Sequence, residues 1–127
     1  MANSIDGLMR PESIAVVGAS AQPGKIGYTV VKNIIDSGYT GAVYPVNPSA
    51  PEILGLKCYP TINDIPGEVD AAAITVPAKF CPEVVEECGK KGVKGLYIIT
   101  SGFSEVGNRD LENQIVEIAR RYGSRIG

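Results

Sequence analysis

The chain has 127 residues, 44% hydrophobic and 20% charged, a length that fits one domain able to bury a real core. Lys+Arg 12 against Asp+Glu 14 gives a net charge of -2, which excludes a basic nucleic-acid footprint and removes nucleic acid from the expected partners. There is no histidine, so this chain alone carries no His-dependent triad, His-ligated zinc or phosphohistidine intermediate.

Gly 15 beside only 6% aromatics points to close backbone approaches of the kind nucleotide-type folds need. Cys58, Cys81 and Cys88 form an odd set without metal spacing, so no metal site is expected and the thiols read as buried and free in a reducing cytoplasm. Met1 to Arg10 has neither a basic n-region nor an apolar h-region, and no run approaches about 18 apolar residues. A soluble cytoplasmic protein without a membrane partner is expected.

Ile14-Ala15-Val16-Val17-Gly18 is a short apolar run ending in glycine, as expected of a strand buried on both faces. Lys25 to Ser37 then places Val30, Val31, Ile34 and Ile35 on one helical face, with Gly38 as the C-terminal cap. Ala42 to Val46 is a second strand, and Pro45 puts it at a sheet edge or near its own end. Asn47 to Ile65 reads as a loop punctuated by Pro48, Pro51, Gly55 and Pro60, with a short helical turn over Ile62 to Ile65.

Asp70 to Val76 is a third buried strand, stopped by Pro77. Pro82 suits the first turn of a helix running to about Cys88 and ending at Gly89. Lys94 to Thr100 is a fourth strand, Ser101 to Glu105 a loop, and Asn108 or Arg109 opens a helix with Leu111, Ile115, Ile118, Ala119 and Tyr122 on one face. Ser124 to Gly127 resembles the opening of a fifth strand, so the chain is expected to be one domain, 1–127, truncated from a longer protein. Alternating strands and helices predict an α/β Rossmann-like parallel sheet with helices on both faces, in the order 3-2-1-4 and onward.

Ligands of such sheets sit beyond the carboxyl ends of the strands. The first of these ends, Gly18 to Gly27, is a glycine-rich turn into a helix, suited to a phosphate or to nothing more than a tight turn. A P-loop needs four residues between its glycines; Gly18 and Gly24 have five, and Ile26 rather than Ser or Thr follows Lys25. A dinucleotide fingerprint needs glycine where Ser20 stands, and an acid after the second strand where Asn47-Pro48 stands. NAD is thereby disfavoured.

The strand-end loops together are more specific. Val17-Gly18-Ala19-Ser20 with Gly24-Lys25-Ile26-Gly27, Tyr44-Pro45-Val46-Asn47-Pro48, Gly55-Leu56-Lys57-Cys58-Tyr59-Pro60, Val69-Asp70 leading to Thr75-Val76-Pro77-Ala78, and Ser101-Gly102-Phe103-Ser104-Glu105 follow in a characteristic order. Over nearly its whole length the chain resembles the N-terminal coenzyme A-binding domain of the NDP-forming acyl-CoA synthetases. That family includes ADP-forming acetyl-CoA synthetase and the alpha subunit of succinyl-CoA synthetase.

The resemblance implies that Gly18, Ala19, Ser20 and the Gly24, Lys25, Ile26, Gly27 segment surround the CoA pyrophosphate. It implies that Val46, Asn47 and Pro48 wall the adenosine, and that Val76, Pro77, Thr100, Ser101 and Gly102 line the pantetheine path. Relatives often carry a lysine after the Asn-Pro pair, suited to the 3'-phosphate; here Ser49 follows, leaving Lys57 or Lys25 to replace it.

The resemblance further implies that CoA is bound as a substrate, with nucleotide and Mg handled by other domains or a partner subunit, where a histidine carries phosphate. No catalytic residue is assigned here, and the chain alone is not expected to turn over. Three other readings stay open: a stand-alone CoA-binding regulatory module or the CoA domain of a protein acetyltransferase, an NAD(P)-binding oxidoreductase fragment, and a structural domain with a vestigial site. Without the family, Pro77 simply ends a strand, and Asp70 and Glu105 are a solvated residue and a cap. Tyr44 and Phe103 then pack, and Lys90-Lys91 is a solvated helix end near a favourable dipole.

Overall fold

A computed structural model describes residues 12–99 and 109–126. Among these residues, five parallel strands form the sheet: β1 (Ser13–Val17), β2 (Ala42–Val46), β5 (Ala71–Ile74), β6 (Gly95–Ile98) and β7 (Arg125–Ile126). Two further strands, β3 (Glu52–Ile53) and β4 (Leu56–Lys57), make a separate antiparallel hairpin. The helices are α1 (Ile26–Asp36), α2 (Cys81–Lys91) and α3 (Arg109–Tyr122).

Alternation along the strands divides the core into two layers. Ala15, Val17, Ala72, Ile74 and Leu96 face α2 and α3, meeting Cys81, Val84, Val85, Cys88, Ile115 and Ala119. Val16 and Ala73 face the opposite way, toward Val31 of α1 and toward Ile53 and Cys58 of the hairpin region. The expected α/β sheet covered on both faces is what forms.

The sheet order is β2-β1-β5-β6-β7, which corrects the expected placement of the Asp70 strand. That strand, β5, pairs with β1 on the side away from β2, and not outside β2. The outer side of β2 is taken instead by Tyr59, in a single parallel bridge to Val46. Its amide donates to Pro45 O at 2.9 Å and its carbonyl accepts from Asn47 N at 2.9 Å. Pro45 is thus tolerated because its nitrogen faces this sparsely bonded edge, where a missing donor breaks no ladder.

Several boundaries shift for identifiable reasons. β5 ends at Ile74 and β6 at Ile98, each shorter than the apolar run that announced it. The stretch read as loop holds the β3–β4 hairpin, turned by Leu54 (φ 51) and Gly55 (φ 82). α2 runs past Gly89 to Lys91, and Gly92 is its left-handed cap (φ 91). Lys91 ends its excursion on the Ile65 carbonyl, joining the helix end to the short 3-10 turn Ile62–Asp64.

All three cysteines are buried and none is in a disulfide. Burial, reinforced by the neighbouring Glu87 carboxylate, pushes the Cys88 thiol from 9.0 up to about 12. An acid whose folded pKa lies above its unfolded one stabilises fully below pH 9 and progressively less above it. Alkaline denaturation is therefore expected to steepen between pH 9 and 12, and Cys88→Ala to flatten that decline. Urea midpoints across the range check this, and parallel profiles for the two proteins would contradict it.

Candidate functional site

The carboxyl ends of β1, β2, β5 and β6 lie side by side, and the chain leaves β1 and β5 toward opposite faces of the sheet. α1 follows on one face and α2 on the other, which makes the β1–β5 boundary a topological switch point. Gly18 occupies that boundary with φ +93, and a Cβ there would lie 2.5 Å from Thr75 Oγ1 and 3.1 Å from Val76 N. Only glycine brings the two strand ends so close.

The peptide unit joining Val17 to Gly18 is held at both ends. Its carbonyl accepts two hydrogen bonds from Thr75, one from the amide at 2.9 Å and one from the hydroxyl at 3.0 Å. Its amide donates to Val46 O at 3.2 Å. Two residues on, the Ala19 carbonyl accepts from Asn47 Nδ2 at 2.7 Å, while Asn47 Oδ1 accepts from Ser49 N at 2.6 Å. Ser20 Oγ accepts from Gln22 N at 3.0 Å, curling the loop toward α1.

α1 begins against this loop. A Cβ on Gly27 would sit 2.1 Å from Gly18 O and 3.0 Å from Ala19 Cα, so backbone rests on backbone. Lys25 is the N-cap in extended conformation, with no side-chain cap bond and no acid in the first turn. Among the described residues, the amides of Ala19, Ser20, Ile26 and Gly27 find no protein acceptor. Uncapped amides at the positive end of a helix dipole, beside a lysine, are the chemistry of an anion site.

The other predicted positions fall around this centre. Val46 is buried, Asn47 half-buried and Pro48 exposed, forming the β2 side. Val76 is half-buried and Pro77 exposed on the β5 side, their carbonyls each 3.7 Å from Cys81 Sγ. Gly24 is exposed with φ +95 and open space around it, so it shapes the loop and packs against nothing. Ile26 (49% exposed) and Phe80 (46%) leave an apolar rim at the same end of the sheet. Thr100, Ser101 and Gly102, with Phe103 and Glu105, lie outside the described residues.

Lys57 sits over the Tyr59 ring at 5.3 Å, and that ring meets Tyr44 edge-on at 5.8 Å, so Tyr44 packs as expected. Because Tyr59 is bonded to Asn47, Lys57 stands on the segment beside the Asn-Pro turn. Asp70 is at the opposite end of the sheet, where Oδ2 accepts from Glu12 N at 2.8 Å and its own amide donates to Ser13 Oγ at 2.9 Å. That is a structural tie remote from the loops. No group of His, Cys, Asp or Glu able to hold a metal occurs among the described residues, and no described helix is long and apolar enough to cross a membrane.

Thr75 stands in the Thr75-Val76-Pro77-Ala78 motif, but the resemblance assigns it no place in the site. A threonine closing an alanine-rich buried strand was the available signal, because a hydroxyl there must find a partner.

Residues 12–127 match the CoA binding domain family. The chain belongs to that family. The alpha subunit of ADP-forming acetate–CoA ligase I from Pyrococcus furiosus is 54% identical, over 97% of this chain and 28% of the relative. The ADP-forming acetate–CoA ligase of Methanocaldococcus jannaschii is also 54% identical, over 91% of this chain and 16% of the relative. Among solved structures, acetyl-coenzyme A synthetase 1 of Ca. Korarchaeum cryptofilum, in complex with phosphate and ADP, superposes with a TM-score of 0.92. It shares 49% identity across 96% of this chain and 26% of its own. This CoA binding domain therefore spans 16–28% of the length of these three relatives.

Proposed function

We propose that this chain is the CoA-binding unit of an ADP-forming acyl-CoA synthetase of the acetate type. The supporting observation is the set of amides without an acceptor among the described residues, where the β1 loop meets the uncapped start of α1, at the switch point of a family fold that binds CoA. Ala19, Ser20, Ile26 and Gly27 present donors to the pyrophosphate, with Gly18 and Gly24 shaping the loop and Lys25 adding charge. Val46 and Pro48 wall the adenosine, and Val76 and Pro77 with Thr100, Ser101 and Gly102 accompany the pantetheine arm. Lys57, beside the Asn-Pro turn, supplies the cation for the 3'-phosphate in place of the lysine that Ser49 replaces.

The acyl transfer and nucleotide chemistry belong to further domains or a partner subunit, because the resemblance implies a phosphohistidine carrier and this chain holds no histidine. Three cysteines outside any disulfide support a place in a reducing cytoplasm. An NAD(P) reading is weaker, since Asn47 stands where a ribose diol needs a carboxylate.

Calorimetric titration with CoA, dephospho-CoA and NADH tests this reading. CoA is expected to bind saturably, dephospho-CoA more weakly, and NADH not at all. Saturable NADH binding without a response to CoA would reject it.

A further inference from the structure

We infer that Thr75 and Asn47 are positioning residues: they do not hold the ligand, but aim the anion-binding amides of the β1 loop. This rests on the proposed pyrophosphate site and adds who builds it. A trans peptide points its carbonyl and its amide in opposite directions, so fixing one fixes the other. Asn47 Nδ2 holds the Ala19 carbonyl at 2.7 Å, and the Ser20 amide on the same peptide is thereby turned the opposite way. Asn47 Oδ1 in turn accepts from Ser49 N at 2.6 Å, so both ends of the side-chain amide are tied to loop backbone.

Thr75 acts one peptide earlier. Its hydroxyl doubles the bond already made by its own amide to Val17 O, at 3.0 and 2.9 Å. With the Gly18 amide on Val46 O, the Val17–Gly18 peptide cannot rotate, and the loop departs from a fixed plane. The same hydroxyl fills the space a Cβ at Gly18 would need, at 2.5 Å, so it also enforces the glycine that allows φ +93. Thr75 is 8% exposed and buried beneath the loop, out of reach of a ligand lying above it. The ties come from two different strands, one on each side of β1. An amide pair aimed in advance binds an anion without a further ordering cost.

The test uses Thr75→Val, which keeps the shape and loses the hydroxyl, and Thr75→Ser, which keeps the hydroxyl. Asn47→Leu removes the donor without placing a charge opposite a phosphate. CoA and inorganic pyrophosphate are titrated against each protein, following the amide resonances of Ala19 and Ser20 by NMR, with melting temperatures measured in parallel. Thr75→Val and Asn47→Leu are expected to weaken both ligands about five- to tenfold, the worth of one aligned hydrogen bond, and to shift the free-state resonances of Ala19 and Ser20. Thr75→Ser is expected within about twofold of the parent. Lower melting temperatures with unchanged affinities and unmoved resonances would overturn the inference while leaving the CoA reading intact. A parent protein that binds pyrophosphate but not CoA would overturn the CoA reading alone. A parent that binds neither would overturn both.

Discussion

Gly27→Ala is expected to cost about 3 kcal/mol of stability and to reduce CoA affinity beyond detection, because it overpacks one backbone against another. The added Cβ would lie 2.1 Å from Gly18 O and 3.0 Å from both Gly18 C and Ala19 Cα. None of these atoms belongs to a side chain that can swing aside. Carbon and oxygen need more than 3 Å, so either the first turn of α1 lifts or the β1 loop retreats. Both movements separate the Ala19 and Ser20 amides from those of Ile26 and Gly27. Alanine's better helix propensity returns at most about 1 kcal/mol. Urea denaturation and CoA calorimetry measure the two effects; a variant that melts with the parent and binds CoA within twofold would show that the contact is not needed.

The same contact shows how far the site was legible beforehand. In a dinucleotide fingerprint the third glycine exists so that helix and strand can pack closely. Gly27 does that work here, nine positions after Gly18 where the fingerprint has five, and a fixed-spacing motif search misses it. The buried run from Ile14 to Gly18 and the apolar face of α1 are local signals, written in periodicity, and they form as expected except at Ile35, which the helix leaves 40% exposed. The β3–β4 hairpin is not local in that sense. Its strands are two residues each, too short for any period, and the prolines around them read as loop.

Strand order is less accessible still. Nothing near Asp70 states that its strand crosses to the far side of β1, while Tyr59 takes the outer side of β2. The roles of Thr75 and Asn47 belong to the same class. The family resemblance marks Asn47 as important, but which atoms it spends, and on what, follows from contacts 28 residues apart. Thr75 reaches Val17 across 58 residues.

Gly89 carries the second large effect and separates folding from binding. Its place near the end of an apolar pattern suggests a cap, yet it lies inside α2 and faces Tyr122 of α3. A Cβ there would be 2.4 Å from Cγ and Cδ2 of that ring and 2.8 Å from its Cβ. Ring rotation cannot relieve a clash that includes Cβ, so α3 must withdraw by about 1 Å to restore ordinary contact. The withdrawal pulls the Tyr122 hydroxyl from Glu86 Oε2, now at 2.7 Å, and loosens Ile115 and Ala119 from the core. Gly89→Ala is therefore expected to lose about 2 kcal/mol net, after the helix-propensity gain. Tyr122→Ala in the same background should recover part of the loss, since it removes the atoms that clash. The α2–α3 contact lies among helices on the face of the sheet opposite α1, so the folded fraction of Gly89→Ala should bind CoA as the parent does. Denaturation midpoints for the single and double variants, with calorimetry below the transition, decide the matter. Equal stability of Gly89→Ala and the parent would mean that α3 does not sit this close to α2.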